Sequence, residues 1–218
     1  MIINPAIALI ISFVYSLIIS FSLFKFYFLI PLVFVLYLNR KNLVKILKKL
    51  LFLNLFIFVL FLVLLIESTF EDALNVYIRA NSIMLFNLAL FFNSYGYDIV
   101  RGLKVLKFPN SFVSSTYFAL KMIDYLSNSF KDIKDTLKAR GFKANTSLFT
   151  YEVFGNVFGM LFVKVIMKSQ KLKETFEVRG FNKEIYLNDE FNITRVDFTL
   201  VFLLILMITI KVFDELFF

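Results

Sequence analysis

Residues 50–66 read LLFLNLFIFVLFLVLLI, with Asn54 as the one polar residue. A run of this length and composition meets the requirement of a helix crossing about 30 Å of hydrocarbon. Its flanks differ in charge. Before it, residues 39–49 carry Arg40, Lys41, Lys45, Lys48 and Lys49; after it, residues 67–72 carry Glu67, Glu71 and Asp72 and no base. Short loops rich in Lys and Arg stay in the cytoplasm, so the first flank reads as inside and the second as outside.

The rest of the chain follows the same plan. It has 218 residues, 60% of them hydrophobic, a mean hydropathy of +0.79 and 18% charged residues against about a quarter in soluble domains. The charges fall in blocks between apolar runs. Further spans are expected at residues 76–92, interrupted by Arg79, Asn81 and Asn87, and at residues 196–210, closed by Lys211 and Asp214. Residues 7–24 and 26–38, separated only by Lys25, read as a hairpin of two spans or as a single long tilted helix. The first residues, Met1 to Pro5, hold no base and no small-residue cleavage site follows, so no removable signal peptide is expected. The hairpin reading leaves the N-terminus cytoplasmic. Arg79, the one charge inside a span that needs a partner, is expected to snorkel outward or to pair with Glu67 or Glu71.

Residues 148–167 are apolar too, yet Glu152, Asn156 and Lys164 lie among them. A crossing there would carry Lys168, Lys171, Lys173, Arg179 and Lys183 outside, against the charge rule. The segment therefore reads as interfacial, with Gly155 and Gly159 serving helix packing within the protein. The chain divides into N-terminal transmembrane helices at 1–92, a cytoplasmic or interfacial region at 93–195 and a C-terminal transmembrane helix at 196–218. The fold class is all-α, a polytopic membrane protein with about five spans.

Composition also excludes functions. The formal net charge of +8 sits mostly in the cytoplasmic parts, where it serves topology and contact with the lipid bilayer; no nucleic acid partner is expected. Neither Cys nor His occurs, which removes disulfides, thiol nucleophiles, metal sites built on those ligands and imidazole catalysis. No G-x-x-x-x-G-K-[ST] loop is present to cradle ATP phosphates.

One internal repeat stands out. Asp135-Thr-Leu-Lys-Ala-Arg140-Gly-Phe142 matches Glu174-Thr-Phe-Glu-Val-Arg179-Gly-Phe181 in pattern: acid, Thr, apolar, charged, small apolar, Arg, Gly, Phe. Each copy closes an amphipathic helix. Phe118, Met122, Leu126, Phe130, Ile133 and Leu137 recur at helical spacing before the first, and Leu161, Val165, Leu172 and Phe176 before the second. A single Arg-Gly is explained as helix punctuation, with Gly as the left-handed residue past the end and Arg complementing the dipole. Punctuation alone is not expected to require the Thr, the small residue or the Phe. Two such ends, each offering one guanidinium, suit a partner with two equivalent pockets.

These residues resemble the transmembrane T-component of energy-coupling factor (ECF) transporters, vitamin and metal-ion importers of the ABC class. Ala139-Arg140-Gly141 resembles the first Ala-Arg-Gly motif of that family and Val178-Arg179-Gly180 the second, with Val in place of Ala. The specific match spans residues 109–181; the apolar N-terminal part agrees by hydropathy and order. The resemblance implies an L-shaped helical scaffold in the cytoplasmic membrane, with two cytoplasmic coupling helices whose arginines dock into grooves on two ABC-type ATPase subunits. It also implies a small membrane-embedded substrate-binding S-component as partner, ATP bound by the partner subunits, and no cofactor, metal or catalytic residue in this chain. Two other functions are weighed against it: a membrane-embedded lipid-acting enzyme using Ser or carboxylates, for which no nucleophile and base pair stands out, and a similar scaffold in a complex that does not import.

Overall fold

The computed structural model describes residues 3–187 and 193–217, apart from the side chains at 215 and 217. Met1 and Ile2 of the signal-peptide reading, and residues 188–192 of the central region, lie outside the described residues. Among the described residues eight α-helices are formed: α1 Pro5–Ser20, α2 Leu29–Leu38, α3 Leu43–Glu67, α4 Phe70–Leu90, α5 Gly96–Val105, α6 Asn110–Ala139, α7 Leu148–Val178 and α8 Arg195–Phe217. No strand occurs among the described residues. Two compact units result, one of Met1–Leu106 with Asp189–Phe218 and one of Lys107–Asn188.

The first unit is a helix bundle with an aromatic centre. Tyr15 of α1 stacks on Phe86 of α4 with ring centroids 3.9 Å apart, and its hydroxyl donates to the carbonyl of Phe28 at 3.1 Å. The chain breaks between Ser20 and Leu29, so the single long helix does not form; in its place stand two apolar helices, each shorter than a full span. Val35 of α2 and Leu200 and Met207 of α8 complete the centre, all fully buried. On its other faces α3, which packs mainly on α4, leaves Leu51, Phe52 and Leu55 more than two-thirds exposed. A helix apolar on the outside is stable where the surroundings are hydrocarbon.

α4 is more polar than an ordinary span, and its polar groups are satisfied by neighbouring helices. Asn81 accepts from the Asn54 amide of α3 at 2.8 Å, and the Tyr77 hydroxyl donates to Asn54 at 3.1 Å. Asn87 donates to Ser16 at 3.2 Å and accepts from Ser12. Arg79 does not make the carboxylate pair that was one of its two expected outcomes. It pairs with neither Glu67 nor Glu71 but donates to the carbonyls of Ser20 and Ser22, at 3.2 and 3.0 Å. The end of α1 carries the negative pole of its dipole and carbonyls without intrahelical donors, which a guanidinium fork satisfies.

The two ends of this unit are tied by a buried carboxylate. Asp197, fully buried at the start of α8, accepts from the Asn4 amide at 2.8 Å and from the amide and hydroxyl of Thr194, each at 2.8 Å. The side chain of Asn4 in turn caps α1 by accepting from the Ala6 amide at 3.0 Å. α5 also belongs here: a Cβ on Gly102 would lie 2.8 Å from Leu9 and 3.1 Å from the Pro5 backbone, so α5 approaches α1 as closely as glycine allows. The compact boundary therefore follows Leu106, although the charge pattern divides the chain after residue 92.

By length and composition three helical stretches among the described residues can cross a membrane, Arg40–Glu67, Leu148–Val178 and Arg195–Asp214; the expected span at residues 76–92, within the more polar α4, is not one of them. Pro5–Ser20 and Phe26–Leu38 are shorter apolar helices. α7 is thus long enough to span, and the charge argument alone speaks for leaving it uncrossed.

Candidate functional site

The second unit is built on α6 and α7. The face expected from helical spacing is the one used: Phe118, Met122, Leu126, Phe130, Ile133 and Leu137 are all half-buried, opposite the buried Val157 and Leu161 and half-buried Val165, Leu172 and Phe176 of α7. Near the start of α6, Phe118 meets Phe176 and Phe181 with centroids at 4.8 and 5.9 Å. Further along, Phe130 stacks on Phe158 at 6.2 Å, and beyond the end of α6 Phe142 meets Phe154 at 6.4 Å. The contacts run in opposite chain directions, so the helices are antiparallel. Between them lies a groove of about 630 Å³ walled by Ile123, Leu126, Phe158, Phe162 and Ile166.

Both repeats end their helices by the same bonds. At the first, the Gly141 amide donates to Lys138 at 2.9 Å and the Phe142 amide to Leu137 at 3.0 Å. At the second, the Gly180 amide donates to Glu177 at 3.3 Å and the Phe181 amide to Phe176 at 3.0 Å. This paired pattern closes a helix through a left-handed residue, and the glycines hold φ of 79° and 62°. Each threonine bonds back one turn, Thr136 to the Asp132 carbonyl at 2.8 Å and Thr175 to the Lys171 carbonyl at 2.7 Å.

Local chemistry thus explains more of the motif than the sequence suggested. The Phe after each Gly supplies an apolar anchor for the cap: Phe181 stacks on Phe176 at 4.8 Å, and Phe142 rests against Phe149 and Phe154. The Thr satisfies its hydroxyl within the helix. What termination leaves over is the arginine and the small residue before it. Arg140 and Arg179 are exposed, and neither guanidinium has a hydrogen bond or ion pair among the described residues. Ala139 is exposed, and Val178 presents an apolar side chain 88% exposed in the last turn of α7.

The antiparallel pairing sends the two motifs to opposite ends. Arg179 ends α7 beside Phe118, whereas Arg140 lies about 22 residues further along α6, about 33 Å at 1.5 Å per residue. The expectation for Gly155 and Gly159 is not met: a Cβ on either would meet nothing within 4 Å. They lie on the outer side of α7, away from α6, and meet no other described residue of this unit within that distance. Among the described residues no group of three acidic, His or Cys side chains could hold a metal ion.

A family model, described as CbiQ, cobalt transport protein, matches residues 1–187. A comparison with curated proteins finds no match.

Proposed function

Because the chain belongs to the CbiQ cobalt transport protein family, the T-component family of ECF transporters, we propose that it is the membrane scaffold coupling two cytoplasmic ABC-type ATPase subunits to a membrane-embedded S-component for vitamin or metal-ion uptake. The observation that carries the reading is the pair of stereochemically equivalent helix ends, each with an unpartnered exposed guanidinium, at opposite ends of one antiparallel pair. Two like ATPase subunits side by side offer two like grooves, and two like ends about 33 Å apart engage one each. Arginine suits this task because its planar five-donor fork fits carboxylates and backbone carbonyls.

In this arrangement the chain is a transport subunit and ATP is hydrolysed in the partners. Closure of the ATPases on nucleotide draws the two helix ends, and the α6–α7 pair transmits the movement. The exposed apolar side chains of α7, Phe158, Phe162 and Ile166 among them, supply a surface for the S-component. The charge rule supports a cytoplasmic membrane location with the N-terminus and both arginine motifs inside. The test is uptake in cells by the Arg140→Ala/Arg179→Ala double variant, read beside its membrane level and ATPase co-purification. Loss of uptake and of ATPases at normal membrane level is expected; normal uptake would return both motifs to helix punctuation.

A further inference from the structure

The N-terminal end of α3 breaks the rules of helix charge. A helix of 25 residues presents the positive pole of its dipole there, with unpaired amides that favour acids and caps. Instead, the first turn holds no acid, Asn42 makes no side-chain cap, and Arg40 and Lys41 precede Lys45, Lys48 and Lys49. None of Lys45, Lys48 and Lys49 has a carboxylate partner among the described residues. Spacing of three and four residues puts these lysines on one face. These exposed bases repel one another weakly in water, and an anion among them relieves that repulsion.

The shape beside them fits such an anion with an apolar tail. Lys45, Lys48 and Lys49 line one side of a shallow, open depression of about 730 Å³ whose other side is Phe52, Leu53 and Phe92, with the Lys49 ammonium 5.2 Å from the Phe92 ring centre. That depression shares Lys49, Leu53 and Phe92 with a groove of about 720 Å³ between α3 and α4, continued by Ile83, Met84 and Leu88. A basic edge therefore borders an open, mainly apolar groove running along α3 and α4.

We propose that this site binds an anionic glycerophospholipid, its phosphate among Lys45, Lys48 and Lys49 and one acyl chain along Met84 and Leu88. Positive charge alone would attract anionic lipid diffusely over any basic loop; the groove makes the binding local. Holding one lipid there offsets the lysine charges and covers the outer groove along α3 and α4.

The test uses the purified full chain in neutral detergent, with phosphatidylglycerol or phosphatidylcholine of equal acyl chains added and retained lipid read by native mass spectrometry. Phosphatidylglycerol should be retained at least about tenfold better, an advantage that the Lys45→Gln/Lys48→Gln/Lys49→Gln variant loses. Removing three charges elsewhere, as Lys121→Gln/Lys131→Gln/Lys134→Gln, should leave it intact. Met84→Trp, which fills the groove without changing charge, should lower retention of both lipids. Equal retention of the two lipids by the native chain, or equal loss in the two triple variants, would overturn the site. Displacement by millimolar inorganic phosphate would make it a free-anion site, and loss of the lipid on assembly with partner subunits would give the groove to a protein; either result overturns the proposal.

Discussion

The ring of Phe118, in the third turn of α6, lies 4.8 Å from that of Phe176, in the last turn of α7. This contact fixes the direction of the pair. It holds the second motif against the beginning of the helix that ends in the first, and so makes the length of α6 the spacing between two arginines.

That spacing can be measured directly, since the chain contains no cysteine. Spin labels on Ala139→Cys and Val178→Cys in the full chain should report a distance centred at about 30 Å. Phe118→Ala removes the contact at one end and should broaden the distribution. A narrow distribution below about 20 Å would mean that the two helix ends lie side by side.

The two arginines are expected to act as forks and not only as charges. Arg140→Ala and Arg179→Ala should each weaken ATPase co-purification and uptake, while the Lys variants restore only part. Loss of a charge-assisted contact at a buried interface costs about 2–5 kcal/mol, against about 0.3–1 kcal/mol for a lost dipole interaction at a helix end. Full activity of both Lys variants would reduce the requirement to charge.

Gly141 and Gly180 have open space around them, so an added methyl group meets no neighbour and only the backbone conformation resists. Gly→Ala at either site should cost about 1–2 kcal/mol, with Asn milder because it tolerates the left-handed region. Hydrogen exchange should show the effect locally, as faster exchange of the Phe142 or Phe181 amide, which closes the cap. Unchanged protection in both alanine variants would mean that the caps do not depend on glycine.

Thiol labelling of intact cells tests whether α7 crosses. Asn145→Cys and Asn182→Cys should both resist an impermeant reagent added outside, and Ser68→Cys should react. Reaction of Asn182→Cys alone among the first two would make α7 a true span and put Arg179 on the opposite side from Arg140, where one pair of cytoplasmic subunits cannot engage both.

Much of this was legible because hydrophobic length and charge asymmetry are local properties of a sequence. The span at residues 50–66 is long, nearly uniform and flanked by opposite charges, and α3 covers it. The repeat was legible because both copies obey one termination chemistry, residue for residue. Of the two outcomes expected for Arg79, the carboxylate pair is not made, because its partners are the carbonyls of Ser20 and Ser22 and a backbone carbonyl has no signature in sequence. The α1–α2 turn was ambiguous for a related reason: the Tyr15 to Phe28 bond that folds it back joins residues whose types alone do not announce it. Gly155 and Gly159 permit a close approach without saying which helix makes it.

The bond from the Asn4 amide to Asp197 carries a consequence for the order in which the protein forms. The starting turn of α1 is held by a carboxylate synthesised 193 residues later. Every residue of the α6–α7 pair must therefore leave the ribosome before the bundle of α1 and α8 can close. Until then α1 lacks the acceptor for its neighbouring amide and the apolar surface that Leu200 and Met207 bring. The unit begun first is finished last, so a chain stalled in translation after α7 would leave an open bundle exposed to membrane quality control.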